Sequence, residues 1–174
     1  DGSLTFAPVS NYTGTVPTVT YTLTDGALTD TADVVISVTA VNDAPVALDD
    51  INSSIPSTAG ATAIKALAAT DIDGTIASYT VLSLPSNGVL ALSGTAVIVN
   101  QVLTLAQAAL LTYDPSGVFS GNDIFTFAAT DNNGTLSITP ATITIVVDKP
   151  TIDAIEDSVG SIVGINQVIP VLYV

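Results

Sequence analysis

Cysteine, histidine, methionine and tryptophan are all missing from these 174 residues, and the only cations are Lys65 and Lys149. Without sulfur there is no disulfide and no thiolate. Without imidazole there is no Ser–His or Cys–His couple and no imidazole ligand for zinc. Two lysines and no arginine cannot neutralise a run of phosphates, which excludes nucleic acid as a partner. Sixteen acidic residues leave a net charge of −14, which an anionic bilayer surface repels. Long hydrophobic runs are missing too, although mean hydropathy is +0.61. Charges, Thr, Ser or Asn interrupt the apolar residues every few positions, and no stretch approaches the ~20 residues of a membrane span. Catalysis would have to rest on carboxylate pairs alone. Those carboxylates gather at turns and junctions, so the chain reads as non-enzymatic.

What is present is apolar residue in quantity, 48% of the chain, and alternation with period two. Thr18–Thr24 reads Thr-Val-Thr-Tyr-Thr-Leu-Thr, with Val19, Tyr21 and Leu23 on one face and four threonines on the other. Thr31–Thr39 repeats the pattern with Val34, Ile36 and Val38 inward, and Ile124–Phe127 and Ala141–Val147 do so again. Such runs are half-buried antiparallel strands, and threonine is a good polar former of their solvated faces. Turn signals separate them: Asp25-Gly26, Asp73-Gly74, Asn87-Gly88, Ser93-Gly94, Ser116-Gly117 and Asn133-Gly134. One helical turn is expected at Leu105–Leu110, because Thr104 and Gln107 have the spacing of a capping box. The expected fold is an all-β sandwich of short strands.

The chain also contains itself in part. Leu4-Thr-Phe6-Ala-Pro8 parallels Leu111-Thr-Tyr113-Asp-Pro115, and Tyr12-Thr-Gly14 parallels Phe119-Ser-Gly121. Val19–Asp25 parallels Phe125–Asp131, Ala32–Val38 parallels Ala141–Val147, and Pro45 matches Pro150. Offsets of 105 to 109 residues define the period. Residues 1–41 are then expected to be the C-terminal part of one repeat, 42–148 a complete unit, and 149–174 the opening of the next. A section of a longer tandem array is the expectation.

Acidic residues collect where repeats meet. Asn42-Asp43-Ala44-Pro45 lies at the first junction with Asp49-Asp50 close behind, Asp71-Ile72-Asp73-Gly74 follows an apolar stretch, and Asp131 closes a strand. Carboxylates converging on a turn invite Ca²⁺, which takes six to eight oxygens without demanding rigid geometry. The other reading is that each Asp accepts nearby backbone N–H groups as a turn former.

Val41-Asn42-Asp43-Ala44-Pro45 resembles the Asn-Asp-x-x-Pro linker of cadherin repeats, and Ala69-Thr70-Asp71-Ile72-Asp73 resembles their Ala-Thr-Asp-x-Asp motif. Gly121-Asn-Asp123-Ile-Phe125-Thr-Phe127 is similar to the Gly-x-Asp-x-Phe-x-Phe signature of bacterial cadherin-like (Ig-like) tandem repeats. Those repeats occur in giant secreted adhesins, including calcium-dependent type I-secreted adhesins and the gliding-motility adhesins of Bacteroidetes. The resemblance implies Greek-key sandwiches stacked end to end with Ca²⁺ at the linkers. Carried over by position, Asn42, Asp43, Asp71 and Asp73 are the foremost metal ligands, with Asp49, Asp50 and Asp131 behind them. The mid-domain Asp-Arg-Glu motif of cadherins is missing, since Leu84-Pro85-Ser86-Asn87-Gly88 stands there. At the second junction Val147-Asp148-Lys149-Pro150 replaces Asn-Asp, and Lys149 is placed to pair with Asp148, Asp153 or Glu156.

Asp30-Thr31-Ala32 and Asp157-Ser158-Val159 resemble Bacteroidetes O-glycosylation acceptors, with Thr31 and Ser158 as the modified hydroxyls. Asn11, Asn52 and Asn133 open N-glycosylation sequons. The functional expectation is a stalk or filament segment of a secreted, extracellular, cell-surface adhesin. It would bear load and extend a distal binding region, with neighbouring repeats as its immediate partners. Self-assembly into fibres and a surface, carbohydrate or protein receptor engaged by other regions complete the expected partners. The alternative is a non-catalytic accessory or carbohydrate-binding module of a large extracellular enzyme.

Overall fold

β-branched and aromatic residues alternating with Thr, Ser and Asp give strands with one dry and one wet face, and these strands pair into a sandwich. The structure is a computed structural model, and it describes residues 3–149. Four short strands precede the sandwich: β1 (Gly14–Thr15), β2 (Val19–Thr24), β3 (Thr29–Val34) and β4 (Ser37–Val38). The sandwich itself begins with β5 (Val46–Ala47), β6 (Asp50–Ile51), β7 (Ile55–Pro56), β8 (Thr62–Ala63) and β9 (Ala69–Thr70). It continues through β10 (Ile76–Val81), β11 (Gly88–Leu92), β12 (Thr95–Ala96), β13 (Val102–Thr104), α1 (Leu105–Ala108), β14 (Leu111–Pro115), β15 (Gly121–Asp131) and β16 (Ala141–Asp148). One sheet has the order β13-β10-β15-β16-β6, with β7 also on β16, and the facing sheet has the order β12-β11-β14-β8. β5 and β9 form a separate antiparallel pair. This is the expected all-β sandwich, two sheets laid face to face.

The core follows from parity. β15 turns Phe125, Phe127 and Ala129 inward, and β16 turns Ala141, Ile143, Ile145 and Val147 inward, all at 2% exposure or less. Tyr79 of β10 meets Phe127 edge to face at 5.5 Å between ring centroids. Leu90, Leu111 and Tyr113 close the core from the other sheet. Burying each of these large side chains is worth about 1.5–3 kcal/mol. The expected helical turn is present, with Thr104 as N-cap and a complete capping box to Gln107. It covers Leu103 with Ala108, both essentially buried.

The first hairpin copies the last one. Tyr21 pairs with Ala32, Val19 with Val34 and Gly14 with Val38. In β15–β16 the matching residues pair in the same register: Phe127 with Ala141, Phe125 with Ile143 and Gly121 with Val147. Burial differs. Val19, Tyr21 and Leu23 were expected to face inward, yet they are 44%, 40% and 63% exposed, against complete burial of Phe125, Phe127 and Ala129. The cause is coverage: among the described residues, β2 and β3 form a two-stranded sheet with no second sheet laid over it.

Asp123 shares the inward parity of Phe125 and is 3% exposed. Its carboxylate accepts hydrogen bonds from Ser86 N–H (2.9 Å), Asn87 N–H (2.8 Å) and the Tyr113 hydroxyl (2.8 Å). A buried carboxylate with that many donors is satisfied without a cation. Burial, and then the Asp123 carboxylate, push the Tyr113 phenol well above its ordinary value of 10. The Tyr113 ring lies flush on Gly88, where an added Cβ would stand 2.3–2.5 Å from its atoms. Gly88 is therefore required by close approach, since its φ is not positive. Gly88→Ala is expected to lower stability by about 1–3 kcal/mol through overpacking, read from the urea unfolding midpoint. An unchanged midpoint would mean that the ring does not rest on the Gly88 backbone.

Candidate functional site

The end of the sandwich that meets residues 3–41 carries most of the sequence-predicted ligands. Asp131 ends β15 on the inward parity and is 1% exposed. Its Oδ1 accepts Asn133 N–H (2.9 Å) and Thr135 N–H (2.7 Å), and its Oδ2 accepts the Asn42 side-chain amide (2.6 Å). The same amide donates to Thr135 Oγ1 (2.9 Å), while Asn42 Oδ1 accepts from the Asn133 amide. The result is a closed latch. It ties the linker residue Asn42 to the β15–β16 turn through side chains 89 to 93 positions apart in sequence. Burial raises the Asp131 pKa, but the bonds from Asn42, Thr135 and Asn133 outweigh it and hold the carboxyl below its ordinary 3.8.

Beside the latch, Asp43, Asp71 and Asn11 border one hollow with Ala44, Val46, Thr70 and Ile72. Asp43 and Asp73 border a second with Asn11, Tyr12, Thr13, Thr39 and Val41. Asp43 N–H donates to both oxygens of Asp73 at 3.2 and 3.3 Å. Asp71 Oδ1 accepts the N–H groups of Asp73 (3.1 Å) and Gly74 (2.8 Å). Its other oxygen, Oδ2, is buried and has no hydrogen-bond partner. Among the described residues, no three acidic side chains converge closely enough to hold an ion.

The remaining candidates lie elsewhere. Asp49 accepts Thr142 N–H at 2.6 Å. Asp50 forms the one salt bridge among the described residues, 2.7 Å from Lys65 Nζ, and the hydrogen bonds from Lys65 and then Ile51 N–H lower its pKa. The seven residues implied as ligands are thus divided between a latch, an acidic rim and two separate acceptors. Asn52 is 6% exposed and its Oδ1 accepts Lys65 N–H, so that sequon is closed to an enzyme in the folded state. Thr31 is exposed on β3, opposite Thr22. Ser158, Asp153 and Glu156, with the 149–174 unit beyond Lys149, lie outside the described residues.

A sandwich of two facing sheets with polar junction loops defines the class, and the sequence comparison agrees. A model of the bacterial Ig domain family matches residues 42–146, and the chain belongs to that family. Among solved structures it is similar to the EC1-2 region of human protocadherin-24, at 21% identity over 78% of this chain and 67% of that one, with a TM-score of 0.49. It is also similar to the fibronectin(III)-like modules of Clostridium thermocellum CbhA, at 17% identity over 79% of this chain and 64% of that one, with a TM-score of 0.34. No curated protein matches it.

The latch has a pH signature. A carboxyl whose folded pKa lies below its unfolded value contributes stability that is present above the unfolded pKa, and loses it as pH falls through the folded one. Asp131→Asn turns an acceptor oxygen into an amide that opposes the Asn42 amide. It is expected to lower the melting temperature by several degrees at pH 7, with the deficit shrinking below pH 3.8, the ordinary value. A deficit independent of pH would show that the carboxylate charge plays no part in the latch.

Proposed function

We propose that residues 42–148 are one load-bearing module in a row, following the repeat that ends at residue 41 and preceding the one that opens at 149, in a secreted bacterial surface adhesin. Its work is mechanical: to hold a distal binding region away from the cell. The observation that carries this reading is the pairing of the entering and leaving strands. β6 and β7 run parallel to β16, with Asp50 opposite Ile143, Ile51 opposite Thr144, Ile55 opposite Val147 and Pro56 opposite Asp148. Asn52 N–H donates to Thr144 C=O (2.9 Å) and Ser57 N–H to Asp148 C=O (2.8 Å). Tension enters at Asn42 and leaves at Asp148. Parallel neighbours pulled from opposite ends slide along each other, so their hydrogen bonds are loaded together rather than one at a time. The accessory-module reading wants exposed aromatic platforms, and within 42–148 every aromatic is buried or half-buried.

Ser57→Pro deletes one of these donors. It is expected to lower the peak rupture force of the module in single-molecule pulling through its ends, and a peak force equal to that of the wild type would remove the patch as the mechanical element.

Calcium belongs to the same proposal in a narrower form than the resemblance implies. Asp131 has both oxygens committed, and Asp49 and Asp50 are occupied elsewhere. The unpartnered Asp71 Oδ2 marks the rim of Asp43, Asp71 and Asp73 as the place with oxygen to spare. Asp43 and Asp73 are exposed, so their side chains are free to turn toward an ion held by Asp71 and the side chain of Asn11. Ca²⁺ would there replace carboxylate repulsion with a shared ligand between residues 3–41 and the sandwich. Titration calorimetry after EGTA treatment is expected to give binding heat that Asp71→Asn abolishes. Absence of heat in the unmodified chain would leave these aspartates as acceptors for backbone N–H groups only.

A further inference from the structure

The outward positions of a sandwich strand are where polar and charged side chains belong. In a chain of net charge −14, one outer face carries no charge across its strands. On the sheet of order β13-β10-β15-β16-β6, Leu103, Tyr79, Phe125 and Ile143 point into the core, so their alternate neighbours form the outer face. The ladders set these neighbours in rows. Ile51 lies beside Thr144 and Thr144 beside Ile124. Thr142 lies beside Thr126, and Val102 beside Thr80, which in turn lies beside Ala128. Ser137 turns inward at 6% exposure, so Leu136 and Ile138 on either side of it extend the same face, with Leu136 opposite Thr130. No outward side chain is charged from Asn122 to Thr130 on β15 or from Thr142 to Val146 on β16. Asp49, which accepts Thr142 N–H, and Asp148, at the end of β16, stand at the margins.

The face is apolar as well as neutral. Ile51, Val102, Ile124, Leu136 and Ile138 are each 48% exposed or more. Single exposed apolar side chains are ordinary, whereas several gathered on one face mark a contact surface. The carboxylates of the 42–148 unit lie elsewhere. Asp43, Asp71 and Asp73 form the rim at one end, and Asp114 is on β14 of the facing sheet. Asp123 and Asp131 are buried, and Asp50 is held by Lys65. That distribution selects the occupant. A basic partner finds no carboxylate across these rows to pair with. A second copy brings an equally neutral face of the same β-branched and threonine rows. Two such faces in contact leave the rim and Asp114 of both copies outside it, and the same patch on both partners is the contact of a two-fold dimer.

We propose that the uncharged outer face of the β13-β10-β15-β16-β6 sheet is where two copies of this chain associate side by side, sheet against sheet, around the row Ile51–Thr144–Ile124. The pulling experiment above probes single chains and does not load this face, so the two readings fail separately.

Sedimentation equilibrium of the 174-residue chain over a range of concentrations tests it. A monomer–dimer equilibrium is expected, strengthened by added NaCl because salt screens the net charge and leaves apolar contact in place. Ile124→Asp and Thr144→Asp each place a charge in the middle of the face and are expected to raise the dissociation constant about tenfold or more. Val118→Asp adds the same charge on an exposed loop outside the face and is expected to leave it unchanged. Circular dichroism melting of each variant confirms that the fold is kept. A chain that remains monomeric at every concentration would overturn the proposal. So would face variants that dimerise like the unmodified chain, or a dimer that EDTA dissociates, since the acidic rim would then be the seat of association.

Discussion

Five alternate positions of one strand, Asp123, Phe125, Phe127, Ala129 and Asp131, point into the sandwich and decide how the rest of it is held. The three apolar members anchor the core, and the two carboxylates stand at its opposite ends. Each carboxylate is buried and each gathers donors from distant segments. Asp123 binds the loop before β11 and the Tyr113 hydroxyl. Asp131 binds the β15–β16 turn and the linker at Asn42. The stripe therefore fixes the two layers against each other and sets the loops at both ends of the sandwich. Satisfaction by N–H and O–H donors rather than by lysine is what makes buried carboxylates tolerable in so acidic a chain.

The first hairpin shows what that stripe requires. Its register repeats that of β15–β16, yet Val19, Tyr21 and Leu23 remain in water. Strand pairing is therefore local, whereas burial depends on the opposing sheet. Asp25, the counterpart of Asp131, is correspondingly occupied by its own turn, accepting Ala27 N–H and Leu28 N–H. Those bonds lower its pKa in the absence of any distant partner. The same residue position is a turn former in one copy and a latch in the other. The difference lies in whether a linker amide arrives to use its second oxygen.

Alternation and turn chemistry made the strands legible, because a period of two is written in the residues themselves. The capping box at Thr104 and Gln107 was legible for the same reason. The role of Asp123 was missed although its parity was available: it shares the phase of Phe125 and Phe127, and so had to point inward. The candidate ligand set was only partly resolved by sequence. Position along the chain cannot distinguish Asp131, whose oxygens are taken by N–H donors, from Asp71, which retains a free one. It also cannot reveal that Asp50 faces Lys65 across fifteen residues. These assignments depend on which donors the fold delivers to each oxygen. The pairing of Tyr113 with Gly88 is of that kind as well, since Asn87-Gly88 reads as a turn but Gly88 serves as clearance for a ring.

Scarcity of cations has a consequence for how such modules sit together. With sixteen acidic residues against two lysines, cations are few, and the salt bridge among the described residues lies on the surface of the 42–148 unit. Exposed pairs of that kind contribute little to stability in any case. Cohesion between residues 3–41 and the sandwich then draws on hydrogen bonds to carboxylates rather than on ion pairs. At Asn42 the side-chain amide meets the Asp131 carboxylate at 2.6 Å. The negative surface charge is screened beyond about 8 Å at physiological ionic strength. The hydrogen bonds of the latch, at 2.6 and 2.9 Å from the Asn42 amide, act at a far shorter range than that and hold within so acidic a surface.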